Sequence, residues 1–454
     1  MHQDEQLGTM PIGKLVFKLA IPAVFAQLVN VLYNIVDRIY IGHIPVHGAK
    51  ALTGLGVCFP ILALISAFSA FVGAGGAPLA TIQLGQKNRD RAEKILGNGV
   101  MLLIVFSAIL TVFFMIFKEP LLYAFGASAE TIPYALDYLR IYIMGTIFVQ
   151  LALGLNTFIS SQGFASTAML SVLIGAVANI VLDPIFIFGF EMGVKGAAWA
   201  TILSQALSAL WVVCFLVSKR SGLHIKLSNM KPNLRILGSI AALGISPFIM
   251  QATESLVSIT LNSSLQHYGG DLHVGAMAIL QSVMQLIVIP IMGFAQGTQP
   301  ILSYNFGARK NDRVKKAFYI VLLTTFSAAI VCCLLTVFIP HVFARLFTPD
   351  EALVALVSRV MPIYMAGIWI FGVQMACQST LLALGQAKIS LFLALLRKAI
   401  LLVPLALILP RFFGVTGIYF AEPAADILAA TTTGVLFLLR FQKILREGPE
   451  RLNG

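Results

Sequence analysis

Asp37 and Asp183 each interrupt a long apolar run. A charged side chain within such a run costs about 2.5–3.5 kcal/mol on insertion scales, so each needs a partner or a task. Asn30, Tyr33, Asn34 and Asp37 fall at helical spacings that put them on or near one face. Arg38 is next in sequence, but neighbours at i and i+1 point in different directions on a helix, so it is expected to snorkel outward rather than pair with Asp37. Asn179 and Asp183 share a face at i and i+4, and Pro184 follows, able to free a carbonyl and bend the helix. Thr201 and Gln205 repeat the spacing. At about 1.5 Å of rise per residue, Asp37, Asp183 and Thr201 lie at a similar depth. Two carboxylates with amide and hydroxyl oxygens make a hard, oxygen-rich site from Asp37, Asn179, Asp183 and Thr201, suited to Na+, or a carboxyl pair suited to H+. The plainer reading of the same residues is a hydrogen-bond network that locks helices together.

The second half of the chain carries a different set. If Pro22 aligns with Pro247, Asn262 stands near the place of Asp37, so that carboxylate is not duplicated. Gln251, Glu254, Ser255 and Ser258 precede it, Gln281 lies in the next apolar run, and Glu422 and Asp426 stand at i and i+4 near the end. Arg397 and Lys398 are expected to neutralise Glu422 or Asp426 as structural ion pairs. Glu254 has no cation nearby in sequence, which makes it the better candidate for binding a proton or a substrate.

The elements that hold these residues follow from composition. The 454-residue chain is 58% hydrophobic and 11% charged, with a mean hydropathy of +0.90, which excludes a set of soluble domains. Residues 51–86, 95–117, 141–182 and 317–344 contain no Asp, Glu, Lys or Arg, and each matches or exceeds the roughly 20 residues that cross a bilayer core. In lipid every backbone polar group needs an internal partner, and continuous apolarity without period-2 alternation selects helices over a barrel. The expected fold is therefore all-α and integral to the membrane. Twelve spans are expected at residues 15–41, 51–83, 95–117, 134–158, 168–190, 195–217, 236–264, 275–303, 317–340, 359–384, 390–410 and 417–440. Residues 1–13 contain Asp4 and Glu5 and no basic leader, so a cleaved signal peptide is not expected.

Most of the 31 Lys and Arg residues fall on the face that carries both termini, in the 87–94, 219–235 and 309–316 loops and the 440–451 tail. The positive-inside rule then puts both termini in the cytoplasm. The same topology accounts for the net charge of +12 without nucleic acid. Cys58, Cys214, Cys332, Cys333 and Cys377 have no metal-like spacing and read as small apolar packing. The seven histidines, with His43, His47, His267, His273 and His341 near loops, suggest no metal site. No phosphate-cradling GxxxxGK[ST], HExxH or GxSxG sequence occurs, so no enzyme is expected, and any work done must draw on an ion gradient rather than on ATP bound by this chain.

An internal repeat organises the spans. Gly85-Gln86-Lys87-Asn88-Arg89-Asp90-Arg91 recurs as Gly307-Ala308-Arg309-Lys310-Asn311-Asp312-Arg313. At the same offset Gly75 meets Gly297, Pro78 meets Pro300, Tyr142 meets Tyr364, Gly145 meets Gly367 and Gly163 meets Gly385. One residue is lost before Gly193-Val194-Lys195-Gly196 matches Gly414-Val415-Thr416-Gly417. Six spans per half give two bundles of the same orientation, related by a pseudo-two-fold axis along the membrane normal. The expected division is residues 1–218, a cytoplasmic linker at 219–235, and residues 236–454. A cleft between the bundles, opened alternately to either side by rocking, is the expected working part. The chain has 32 Phe, 11 Tyr and 15 Met, some of which are expected to line that cleft and accept flat cations by stacking and cation–π contact.

The runs Asn34-Ile35-Val36-Asp37-Arg38-Ile39-Tyr40-Ile41-Gly42, Asn179-Ile180-Val181-Leu182-Asp183-Pro184 and Gly193-Val194-Lys195-Gly196-Ala197-Ala198-Trp199-Ala200-Thr201 resemble the multidrug and toxic compound extrusion (MATE) family. The resemblance covers essentially the whole chain and is nearest to the bacterial drug-exporter branch that keeps the paired aspartates. It implies a V-shaped antiporter that expels amphipathic, mostly cationic compounds in exchange for H+ or Na+. Its first-half ion site would lie at Asp37, Asn179, Asp183 and Thr201, with Tyr33 and Tyr138 nearby. Tyr33, Asn34, Tyr138, Gln251, Glu254 and Gln281 are the candidates for the substrate cleft. Glu254 resembles an acidic residue of the seventh span in another branch, which leaves both coupling ions open. The implied partners are small organic cations and the lipid bilayer, with no cofactor beyond the coupling ion, in a monomer of the cell (inner) membrane. A lipid-linked sugar flippase of the same broader superfamily would need a basic cleft, whereas the charges of the first half are net acidic. The major facilitator superfamily is the other alternative; the spacing from Gly85 to Asp90-Arg91 is one residue longer than its loop signature, and the mismatch recurs at Gly307.

Overall fold

A computed structural model describes residues 3–45, 48–347 and 349–449. Among them eleven helices are long and apolar enough to cross a membrane, or twelve when a bent pair is taken as one span. In chain order the spans are Ile12–Gly42, Gly48–Gly85, Arg89–Ala124, the bent pair Ile132–Met144 and Thr146–Ser161, Ala165–Gly189, Val194–Val217, Leu234–Gly269, Asp271–Gly307, Asn311–Phe338, Glu351–Ala383, Ala387–Phe413 and Val415–Glu447. Several run past the apolar stretches that mark them in the sequence, because the backbone ladder continues until a cap ends it. Asn88 is one such cap, accepting from the Arg91 N–H at 3.1 Å.

The repeat is built into the backbone. Lys87 and Arg309, equivalent in the two copies, both adopt left-handed conformations, with φ of 61° and 54°. The residues after them close the same turn: Asn88 N–H donates to Gln83 O at 2.9 Å, and Lys310 N–H to Asn305 O at 2.8 Å. Gly193 and Gly414, which open the sixth and twelfth spans, have φ of 55° and 59°, where a side chain would be strained.

Two compact units result, Met1–Thr9 with Phe25–Gln251 and Met10–Val24 with Ala252–Gly454. Lipid gives helices no hydrophobic drive toward one another, so packing within each unit rests on small residues that let backbones approach. In the first unit a Cβ on Gly73 would sit 2.8 Å from Gly154 O; in the second a Cβ on Gly372 would sit 2.3 Å from Thr325 O.

The fourth span was expected to be continuous, but it bends by 59° between Met144 and Thr146. Gly145 is the hinge, and a Cβ there would lie 2.4 Å from the Ile202 side chain. The 219–235 segment lies against the first unit rather than hanging free. Lys226 pairs with buried Glu93 at 2.5 Å, Asn98 Nδ2 donates to Asn229 O at 3.2 Å, and the Leu223 N–H donates to Gln162 Oε1 at 2.8 Å.

Candidate functional site

In the first unit the first, fourth, fifth and sixth spans converge on one polar cluster. Asp37, Asn179 and Asp183 are 8%, 1% and 0% exposed. The Asp37 and Asp183 carboxyl groups lie within hydrogen-bonding reach of each other. Asn179 Nδ2 donates to Asp183 Oδ1 at 3.2 Å, as the i, i+4 spacing allows. Thr201 donates its hydroxyl to Ala197 O at 3.0 Å and lies beside the Tyr138 hydroxyl. Tyr138 also lies within electrostatic range of Asp37. Tyr33 is likewise close to Asp37 and to Asn34, whose Nδ2 donates to Asn30 O at 2.6 Å.

Local structure explains how these side chains are aimed. Beyond Pro184 the fifth span continues as a π-turn, Ile185–Gly189, rather than breaking off. Such turns recur at functional sites. Arg38 lays its guanidinium 4.4 Å from the centre of the Phe59 ring, and its charge remains within electrostatic range of Asp37 and Tyr138. One aromatic, read in the sequence only as a landmark of the repeat, also belongs to the site. Tyr142 is buried and stacks on Tyr138 with ring centroids 6.0 Å apart, and the i, i+4 spacing of the two tyrosines was the signal for it.

The cluster's acceptors outnumber its donors. Asp37 Oδ1, Asn179 Oδ1 and Asp183 Oδ2 are buried, and no donor reaches them among the described residues. A buried acceptor without a donor costs about 1–3 kcal/mol, so three in one cluster favour a positive charge among them. The donor set is all oxygen, which suits a hard monovalent cation or a proton. No group of three or more His, Cys, Asp or Glu gathers elsewhere among the described residues as a metal site would require. All five cysteines are free thiols.

The second unit departs from two sequence expectations. Arg397 forms ion pairs with both acids of the twelfth span, with Nε 2.6 Å from Asp426 Oδ1 and Nη2 3.1 Å from Glu422 Oε1. Lys398 turns instead to Glu254, which therefore has a cation after all, brought from the eleventh span to the seventh. A π-turn over Leu396–Leu402 carries both basic residues. Its wider winding places neighbouring side chains differently from an α-helix. Of the other cleft candidates, Gln251 is exposed and Gln281 half-buried. The side chains of Ser255, Ser258 and Asn262 lie outside the described part, as do His47 and Arg451. His273 lies in the first turn of the eighth span, with Nδ1 3.0 Å from the Tyr419 hydroxyl.

Comparison with known proteins places this architecture. The MatE family model matches residues 22–185 and 247–408, most of the chain and both halves of the repeat. The chain is 26% identical over 455 residues to the multidrug export protein MepA of Staphylococcus aureus (strain N315), covering the full length of both. It is 26% identical over 431 residues to MepA of Staphylococcus haemolyticus (strain JCSC1435), covering 94% of each. A solved structure of MATE in the bent conformation shares the fold, with a TM-score of 0.92 at 23% identity over 98% of this chain and 99% of that one. Matched in both halves by one family model and folded as that family folds, this multi-span membrane protein belongs to the MatE family, the multidrug and toxic compound extrusion transporters.

Proposed function

We propose that the protein is a secondary antiporter that exports amphipathic, mostly cationic organic compounds in exchange for H+ or Na+. The observation that carries this reading is the set of three buried acceptor oxygens, on Asp37, Asn179 and Asp183, that no donor reaches among the described residues. A proton relieves the two carboxyl groups by bridging them. Na+ satisfies them by taking the three oxygens together with the Thr201 hydroxyl as ligands. Either ion cancels negative charge in the first unit, and a cationic compound held near Tyr33, Asn34 and Tyr138 then loses part of its electrostatic hold and leaves. Ion uptake and cargo release become two faces of one linkage. The relatives named for multidrug export, similar over their full length, support the same cargo class. The concentration of Lys and Arg in the 87–94, 219–235 and 309–316 loops supports cytoplasmic termini in the inner membrane.

Efflux of a fluorescent organic cation from proteoliposomes tests the reading, with a pH gradient and a Na+ gradient imposed in separate runs. Transport driven by one of them is expected. Equal efflux with no gradient, or efflux only on addition of ATP, would overturn it.

A further inference from the structure

The second unit holds a charge cluster that the ion site of the first unit does not use. It contains three carboxylates, on Glu254, Glu422 and Asp426, and two cations, Arg397 and Lys398. Tyr364, buried beside them and within their electrostatic range, adds no charge in its neutral form. With every carboxylate ionised the cluster is, among the described residues, one positive charge short.

The shortfall is not spread evenly. Arg397 is spent on two acids at once, holding Asp426 and Glu422. Lys398 is the second cation near Glu422, yet its ammonium is paired with Glu254. The two ends of that pair differ sharply in access: the Lys398 side chain is 7% exposed and the Glu254 side chain 66%. A carboxylate exposed within a membrane span faces water or a ligand, since acyl chains would exact several kcal/mol. An incoming cation therefore reaches Glu254 first and meets there a lysine that has an alternative partner behind it.

The repeat places this cluster where the first unit has its ion site. Glu422 stands as far past Gly414 as Thr201 stands past Gly193. Gly367, the equivalent of the hinge Gly145, packs on Asp426, where a Cβ would come within 2.9 Å of the Asp426 Cβ.

We propose that Lys398 is a tethered competitor for the cationic cargo: it occupies Glu254 when no cargo is bound, gives way to a monovalent organic cation, and moves toward Glu422, which it then neutralises. Bound cargo and displaced lysine together restore the balance of the cluster. Return of Lys398 to Glu254 then helps expel the cargo. This deepens the export reading and rests on it, because it takes the cargo to be a cation.

The test is equilibrium binding of tetraphenylphosphonium to the purified full-length protein and to Lys398→Gln, Lys398→Arg, Glu254→Gln and Lys398→Gln/Glu254→Gln. Lys398→Gln is expected to bind about tenfold more tightly than the wild type, because a like charge has been removed from beside the site. Lys398→Arg is expected to stay near the wild type, and the gain should vanish in the double variant. Efflux by Lys398→Gln should show a lowered KM and a lowered maximal rate, a split that lost packing alone would not give. Wild-type binding with no gain in Lys398→Gln, or a gain that survives Glu254→Gln, overturns the assignment alone. Absence of binding in every protein, wild type included, overturns the cationic-cargo reading and this assignment with it.

Discussion

Asp37 and Asp183 belong to the first and fifth spans, and their carboxyl groups come within hydrogen-bonding reach of each other. Two carboxyl groups can hydrogen bond only when one carries a proton, and two carboxylates can lie together only when a cation lies with them. In the proposed antiport the pair then acts as a charge sensor held between helices. Asp37→Asn keeps the shape and a hydrogen-bonding group but removes one charge. Gradient-driven efflux in proteoliposomes is expected to fall by about tenfold or more, the range of a typical coupling free energy. The variant should still reach the membrane as folded protein. Efflux at the wild-type rate would exclude Asp37 as the coupling residue.

The sign of the ion's effect on cargo follows from the same pair. Lowering the pH adds a proton and raising Na+ adds a cation, and both reduce the negative charge that attracts a cationic compound. Affinity for such a compound should therefore decline as pH falls without Na+, or as Na+ rises at fixed alkaline pH, according to which ion couples. In Asp37→Asn the response should flatten. Titrations of cargo binding under both regimes check this, and tighter binding on acidification together with tighter binding in Na+ would contradict it.

The sequence made some of this legible and hid the rest, for reasons that can be named. The spans could be read because lipid demands long apolar helices. The repeat could be read because Lys87 and Arg309 sit in copies of one turn, flanked in both by a recurring Gly and Asp-Arg, Gly85 with Asp90-Arg91 and Gly307 with Asp312-Arg313. The common depth of Asp37, Asp183 and Thr201 followed from counting residues along helices. Pairings across spans were a different matter. Nothing local links Glu254 to Lys398, which are brought together only when the seventh and eleventh spans pack, and the π-turn at Leu396–Leu402 redirects Lys398 away from the partner that α-helical spacing suggests. The bend at Gly145 was hidden because an apolar run reads the same whether it is straight or broken. The docking of the 219–235 segment was hidden because it depends on Glu93 and Asn98, two polar residues near the start of a span that look solvated in sequence.

Packing in the second unit depends on one close approach. Thr325 Oγ1 donates to Gly372 O at 2.9 Å, and a Cβ at Gly372 would lie 2.3 Å from Thr325 O. That neighbour is backbone and cannot turn aside. Gly372→Ala should force the ninth and tenth spans apart and cost about 1–3 kcal/mol. Gly56→Ala, with nothing within 4 Å of the new methyl, serves as the neutral comparison. Thermal unfolding in detergent reads the difference, and equal melting of the two variants would show that the crossing has slack.

Arg397 makes the strongest energetic demand on the second unit. Its guanidinium spans two acids, Nε on Asp426 and Nη2 on Glu422, with the three side chains 12%, 1% and 7% exposed. It also lies 5.0 Å from the centre of the Phe371 ring. Removing one member of a buried ion pair leaves an uncompensated charge, at a cost of about 3–5 kcal/mol. Arg397→Met should therefore lower the melting temperature of the purified protein more than any single carboxylate replacement in the cluster. Arg397→Lys should recover only part of the loss, since an ammonium is a point charge and cannot present two fixed N–H groups to two acceptors. The decisive comparison is Arg397→Met/Glu422→Gln/Asp426→Asn, in which no charge of the triad remains. If stranded charge is the cause, the triple variant regains most of the stability that Arg397→Met loses. If lost packing against Phe371 is the cause, the triple variant melts no higher than Arg397→Met, and the arginine is a filler of space rather than the counter-ion of its bundle.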